Sequence, residues 1–90
     1  MAEPTREKTQ AGEGGIRVVA VDARGLFCPL PIVKLKLALE KVPSGDAVEI
    51  LADDPGFPED VVSWCEETGN DLLSLRPEGN GAFVACVRKR

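Results

Sequence analysis

Between Arg17 and Asp22 the chain reads RVVAVD, a short β-branched run bounded by Gly15 and Gly25, and this pattern predicts a strand. After the loop Ala23 to Phe27 the period lengthens. From Pro29 to Val42, Ile32, Leu35, Ala38, Leu39 and Val42 recur at helical spacing, while Lys34, Lys36, Glu40 and Lys41 fall away from that face. The segment predicts an amphipathic helix, stopped by Pro43-Ser44-Gly45-Asp46. The run AVEILA, Ala47 to Ala52, predicts a second strand. A helix of this length between two strands makes a βαβ crossover within one sheet the simplest arrangement.

Beyond the turn Asp53-Asp54-Pro55-Gly56, the residues Phe57, Val61, Trp64, Cys65 and Thr68 share one helical face. Glu59, Asp60, Ser63, Glu66 and Glu67 take the other, and Gly69 closes this second helix. Two strand-like runs, Asp71 to Arg76 and Ala82 to Lys89, flank the Gly-rich loop Pro77 to Gly81, which suits a hairpin. The expected order is β-α-β-α-β-β. It describes an α/β (α+β) two-layer sandwich with two helices on one face of a four-stranded mixed sheet, so that both apolar stripes share one core. Residues 1–15 contain three Gly, one Pro and no large apolar residue after Met1, and they predict a flexible tail before a single domain over residues 16–90.

Composition narrows the chemistry. Ninety residues form one domain with a modest core, which excludes a multidomain enzyme. A formal charge of -4 lacks the basic excess that phosphate-backbone binding requires, so nucleic acid is not expected as a direct ligand. The absence of His excludes Ser-His-Asp, Cys-His and His-ligated zinc chemistry. Three widely spaced cysteines, Cys28, Cys65 and Cys86, fit neither a disulfide framework nor a zinc site. The polar N-terminal residues and the lack of a long apolar run predict a cytoplasmic protein with no membrane segment.

The most unusual segment is Gly25-Leu26-Phe27-Cys28-Pro29-Leu30-Pro31. It sets a cysteine at a strand-to-helix junction, with proline directly after it and again two residues later. Pro29 suits a first helical position, which makes Cys28 the expected N-cap. There the helix dipole favours a thiolate and lowers the thiol pKa, although Pro29 and Pro31 withhold amide donors and keep the effect modest. The prolines stiffen the backbone and hold the sulfur outward, Leu30 supplies the nearest free amide, and Gly25 permits a positive φ or a close approach by a partner. The plain alternative is an inert buried cysteine. That reading suits Cys65, which lies on an apolar stripe, and Cys86, in the last strand, is also assigned to structure.

Other residues divide between roles. Trp64 on the second stripe reads as core, and Asp22 as an acid bonding nearby amides. Val33 and Leu37 lie off the main stripe of the first helix, among its lysines, and read either as peripheral core or as part of a docking patch. From Asp53 through Asp71 there are seven acids and no Lys or Arg, against three Lys and one Glu on the first helix. This unevenness reads as solvated helix faces or as a polarised surface that steers a protein partner.

Asp22, Gly25, Leu26, Cys28, Pro29 and Pro31 together resemble the signature of the TusA-like (SirA-like) sulfur carriers, whose core is a C-P-x-P motif. Asp53-Asp54-Pro55, Asp60 and Cys65 extend the likeness, which spans roughly Val18 to Arg88. The resemblance implies the two-layer sandwich read above. It also implies that Cys28 accepts sulfane sulfur as a persulfide from a cysteine desulfurase or rhodanese and passes it to an acceptor such as a DsrE-like protein. The outlets it implies are tRNA thiolation, molybdenum cofactor assembly or sulfur oxidation. The resemblance implies a persulfide-carrying sulfurtransferase-type protein rather than a stand-alone enzyme, working by thiol exchange that requires no cofactor and no metal. Gly25, Pro29, Leu30 and Pro31 would shape the site, and Arg24, Val33, Lys34, Lys36 and Leu37 would meet partners. Two alternatives stand beside it. One is a non-catalytic binding or regulatory module of the same fold. The other is a thiol-disulfide oxidoreductase, weakened by the lack of a C-x-x-C pair.

Overall fold

The computed structural model describes residues 5–9 and 17–90. Its elements are β1 (Thr5–Thr9), β2 (Arg17–Asp22), α1 (Leu30–Glu40), β3 (Ala47–Ala52), α2 (Phe57–Thr68), β4 (Asp71–Gly79) and β5 (Ala82–Arg88). The strands form one sheet in the order β1-β2-β3-β5-β4. The four strands expected from the sequence are all present, with both helices on one face.

Register explains the two faces. β2 and β3 pair in parallel with Val19 opposite Val48 and Val21 opposite Ile50. Antiparallel β5 sets Val87 against Val48 and Ala85 against Ile50. Side chains alternate across a strand, so these residues share the helix-facing side. They meet Leu35, Ala38 and Leu39 of α1 and Phe57, Val61 and Cys65 of α2 in one buried cluster. Glu49 and Cys86, opposite each other in the same ladder, point to the other face. Trp64 packs against the core, partly buried, as its stripe implies.

The structure corrects three expectations. Thr5–Thr9, read as part of a tail, forms β1 and pairs antiparallel with β2, from Thr5 opposite Val21 to Thr9 opposite Arg17. An edge strand is held by main-chain bonds to its neighbour and needs no apolar run, so the hydrophobic pattern carries no sign of it. The rest of the expected tail lies outside the described residues. The first helix ends at Glu40 and not at Val42. Lys41 and Val42 donate back only three residues, to Ala38 O and Leu39 O, and Pro43 cannot extend the ladder. The hairpin is also tighter than the loop expected over residues 77–81. β4 continues to Gly79, and only Asn80 and Gly81, both at positive φ (56° and 79°), make the turn. Two central residues at positive φ match the twist of the strands they join. Register irregularities at Leu72/Ser74 and Pro77/Gly79 let β4 accommodate Pro77 at the sheet edge.

Candidate functional site

The end of β2 feeds a short, heavily pinned loop. Ala23 N–H donates to Leu51 O at 2.7 Å, prolonging the ladder to β3 by one residue. Asp22 Oδ1 then accepts from the Arg24 backbone at 3.0 Å and from Arg24 Nε at 3.0 Å, while Asp22 Oδ2 accepts from Arg24 Nη2 at 2.8 Å. These hydrogen bonds from the Arg24 side chain, and then from its backbone, hold the Asp22 carboxyl at about 2. Lys34 Nζ donates to Asp22 O at 2.8 Å. Gly25 adopts φ +84°, a conformation costly for any residue with a Cβ, and its N–H donates to Asp53 Oδ1 at 2.9 Å. Arg24 and Lys34, expected to meet partners, are thus also engaged with Asp22.

Cys28 emerges from this loop exposed to solvent. It is not the N-cap. The Cys28–Pro29 peptide is cis, Pro29 occupies the cap, Leu30 begins α1, and no side chain caps the helix. Leu30 N–H donates to Phe27 O at 2.8 Å, and the Ile32 and Val33 amides both converge on Pro29 O at 3.1 Å. The first-turn donors therefore go to backbone carbonyls. Pro31 is buried and anchors the turn, whereas Phe27 is 71% exposed and Leu30 50%.

The electrostatics at the sulfur oppose the expected dipole effect. The thiol is raised above its ordinary range, and the Asp60 carboxylate of α2 is the largest influence on it. Partial desolvation and the negative charges of Asp60 and Asp54 act in the same direction. The turn into α2 fixes the Asp54 carboxylate. Asp54 is buried; its Oδ2 accepts from Gly56 N at 3.1 Å and its carbonyl from Phe57 N at 3.0 Å. A Cβ built on Gly56 would lie 3.3 Å from Asp54 Oδ2 and 3.9 Å from Asp60 Oδ2, so both carboxylates face one point beside the helix start.

The other two thiols differ. Cys65 is buried, and burial followed by the charge of Asp71 pushes its thiol up. Cys86 is half-buried on the open sheet face, where burial and then Glu49 raise its thiol while Arg76 opposes them.

Beside Cys28, α1 presents a second apolar side. Leu35, Ala38 and Leu39 enter the core, but Val33 and Leu37 are 43% and 51% exposed and continue a stripe begun by Phe27 and Leu30. Their spacing places them along one flank of the helix, with Lys36 exposed nearby. The structure therefore puts Val33 and Leu37 on the surface and adds Phe27 and Leu30 to them. Phe27 could have been found from the sequence, since it adjoins Cys28 in a loop with no periodic partner. The influence of Asp60 on the Cys28 thiol carried no such local signal.

A family model described as Sulfurtransferase TusA matches residues 19–89. A protein of Allochromatium vinosum named Sulfur carrier protein TusA is 39% identical over 69 residues, covering 77% of this chain and 90% of that one. A longer protein of Aquifex aeolicus is 36% identical over 69 residues, and the matched region is 34% of its length. Among solved structures, a SirA-like protein from Desulfitobacterium hafniense superimposes with a TM-score of 0.68 at 25% identity, over 79% of this chain and 95% of that one.

Proposed function

The chain belongs to the TusA family, and from that membership we propose that it is a sulfur carrier whose Cys28 holds sulfane sulfur as a persulfide. The observation that carries this reading is an exposed thiol beside an exposed apolar stripe. A sulfur handed between proteins must be reached by a partner's thiol, so it needs presentation on the surface and an adjoining area on which the partner can dock. The carrier domain spans residues 16–90, with Thr5–Thr9 added at the edge of its sheet.

The mechanism is exchange at sulfur. The Cys28 thiolate attacks the terminal sulfur of a donor persulfide, a new sulfur-sulfur bond forms on Cys28, and the donor leaves as a thiolate. An acceptor thiolate then attacks the terminal sulfur, and Cys28 leaves in turn. Gly25, Pro29 and Pro31 fix the loop, while Phe27, Leu30, Val33 and Leu37 supply the docking area with Lys36 at its edge. The donor is a cysteine desulfurase or rhodanese, the acceptor a DsrE-like protein, and the exchange takes place in the cytoplasm. The sulfur is destined for tRNA thiolation, molybdenum cofactor assembly or sulfur oxidation.

Intact mass spectrometry after incubation with a sulfur donor system, followed by a dithiothreitol chase, tests the assignment. One reducible sulfur adduct is expected on the wild-type chain and on Cys65→Ser, with none on Cys28→Ser. An adduct that persists without Cys28, or none with several competent donors, favours a binding or regulatory module instead.

A further inference from the structure

The sheet edge formed by β4 carries a second apolar surface. α1 packs on β2 and β3, whereas α2 packs on β5 and β4, and β4 ends the strand order. Between α2 and β4 lies an open groove of about 540 Å³, lined by Pro58, Glu59, Val62, Ser63 and Leu75, with room for a partner's side chain. Pro58 and Leu75 are half-buried, and Val62 is 37% exposed. Leu73, on the same edge strand, is 50% exposed.

The charge beside this groove has one sign. Glu59 lines it, Glu66 follows two turns later on the same side of α2, and both are exposed. Neither has an ion-pair partner among the described residues. The cations of β4 and β5 are turned to other acids: Arg76 reaches Glu49 of the open sheet face at 3.8 Å, and Arg88 holds Asp71 at 2.7 Å. An apolar groove with an uncompensated acidic rim is complementary to an apolar side chain carried among basic ones.

The strand edge sets the shape of what fits. No strand lies outside β4, so its outer main-chain groups face no neighbour in the sheet. An extended segment can pair with that edge and turn alternate side chains toward the helix-covered side, into the groove. The irregularities at Leu72/Ser74 and Pro77/Gly79 interrupt the edge on either side of Leu75. They limit such pairing to a short stretch, so the anchoring side chain and the charge decide what binds.

We propose that this groove is a second docking surface, which receives a short extended segment of a partner protein bearing an apolar side chain between lysines or arginines. The assignment goes beyond the carrier reading and does not depend on it. A partner seated at β4 leaves the stripe from Phe27 to Leu37 uncovered, because that stripe belongs to α1 and the loop before it, and α1 lies over β2 and β3. The chain can then be held by one protein while Cys28 faces another.

Synthetic heptapeptides titrated into the isotope-labelled full chain, followed by amide chemical shifts, test the groove. One peptide alternates lysine with leucine, a second has serine in place of leucine, and a third has glutamate in place of lysine. Only the first is expected to give saturable shifts, centred on residues 59–63 and 73–76. Val62→Lys, at an exposed helix position, should weaken its binding by about tenfold or more, and so should the combined Glu59→Lys, Glu66→Lys chain. Leu37→Ala, on the other surface, should bind as wild type does. At saturation Cys28 should still be alkylated by iodoacetamide.

Shifts centred on Phe27, Leu30, Val33 and Leu37, or protection of Cys28, would place the peptide on the stripe and overturn the proposal. Equal binding of the serine or glutamate peptide, no saturation up to about 1 mM, or wild-type affinity in Val62→Lys would overturn it as well. The comparison of peptides on the wild-type chain needs no substitution, so a folding defect cannot mask the result. No step uses sulfur: a missing adduct on Cys28 removes the carrier reading and leaves the groove, and a failed titration does the reverse.

Discussion

Asp53 at the exit of β3 holds Gly25 in the loop that presents Cys28, through an N–H to Oδ1 hydrogen bond of 2.9 Å. Two loops far apart in the chain are tied at the point where parallel β2 and β3 end together. Removing the acceptor in Asp53→Ala should cost about 1 kcal/mol, read as a lower urea midpoint. Asp53→Asn, which keeps an oxygen in place, should lose less. Equal losses in both would mean that the carboxylate acts through its charge.

Gly25 itself is required by its backbone and not by crowding. Its φ is +84°, and a Cβ added there would meet nothing within 4 Å. Gly25→Ala should therefore destabilise by about 1–2 kcal/mol through the left-handed conformation alone. Gly25→Asn, better tolerated in that region, should recover part of the loss in thermal unfolding.

The two sides of α1 should separate stability from docking. Leu35 is fully buried, and Leu35→Ala should cost about 2–5 kcal/mol in urea unfolding. Leu37 is half exposed, and Leu37→Ala should change stability by no more than about 0.5 kcal/mol. Its effect should appear instead as slower sulfur transfer between Cys28 and a partner protein, with small-molecule alkylation of Cys28 unchanged. Unimpaired transfer in the combined Leu30→Ala, Val33→Ala, Leu37→Ala chain would remove the stripe from the docking surface.

The Asp22–Arg24 pair gives a pH signature with a definite sign. The Asp22 carboxyl is lowered from 3.8 to about 2 in the folded chain. A lowered carboxyl stabilises the fold above its unfolded value, and that contribution is lost as pH falls through the folded value. Both side chains are about half exposed, so solvent screening limits the pair to about 1 kcal/mol or less. Wild type should exceed Asp22→Asn by that amount at neutral pH, and the gap should close between pH 3.8 and about 2. Guanidinium-free unfolding scans at several pH values check it, and a gap that persists below pH 2 would contradict it.

The cysteines should label in order of access. At mildly alkaline pH iodoacetamide should modify Cys28 first and the half-buried Cys86 more slowly. Cys65, buried and with its thiol pushed up by desolvation, should react only in denaturant. Peptide mass mapping of partly labelled protein distinguishes the three.

The order of residues specifies the local elements and singles out Cys28. Arg17–Asp22 and Ala47–Ala52 are legible because a β-branched run between turn residues has few other uses, and α2 because Phe57, Val61 and Cys65 repeat at helical spacing. Cys28 stands out through its flanking prolines, a feature of adjacent residues. What remained was decided by residues distant in sequence. Thr5–Thr9 joins the sheet because the edge of β2 offers unpaired main-chain groups, and those groups have no side-chain pattern. Leu37 and Leu35 are the same residue type two positions apart, and only the packed sheet decides that one is buried and the other half exposed. The charge felt by Cys28 reverses for the same reason. Its neighbours in sequence offer a helix dipole, but the first-turn amides are already committed to Phe27 and Pro29, and the fold adds the charges of Asp60 and Asp54, which push the thiol up.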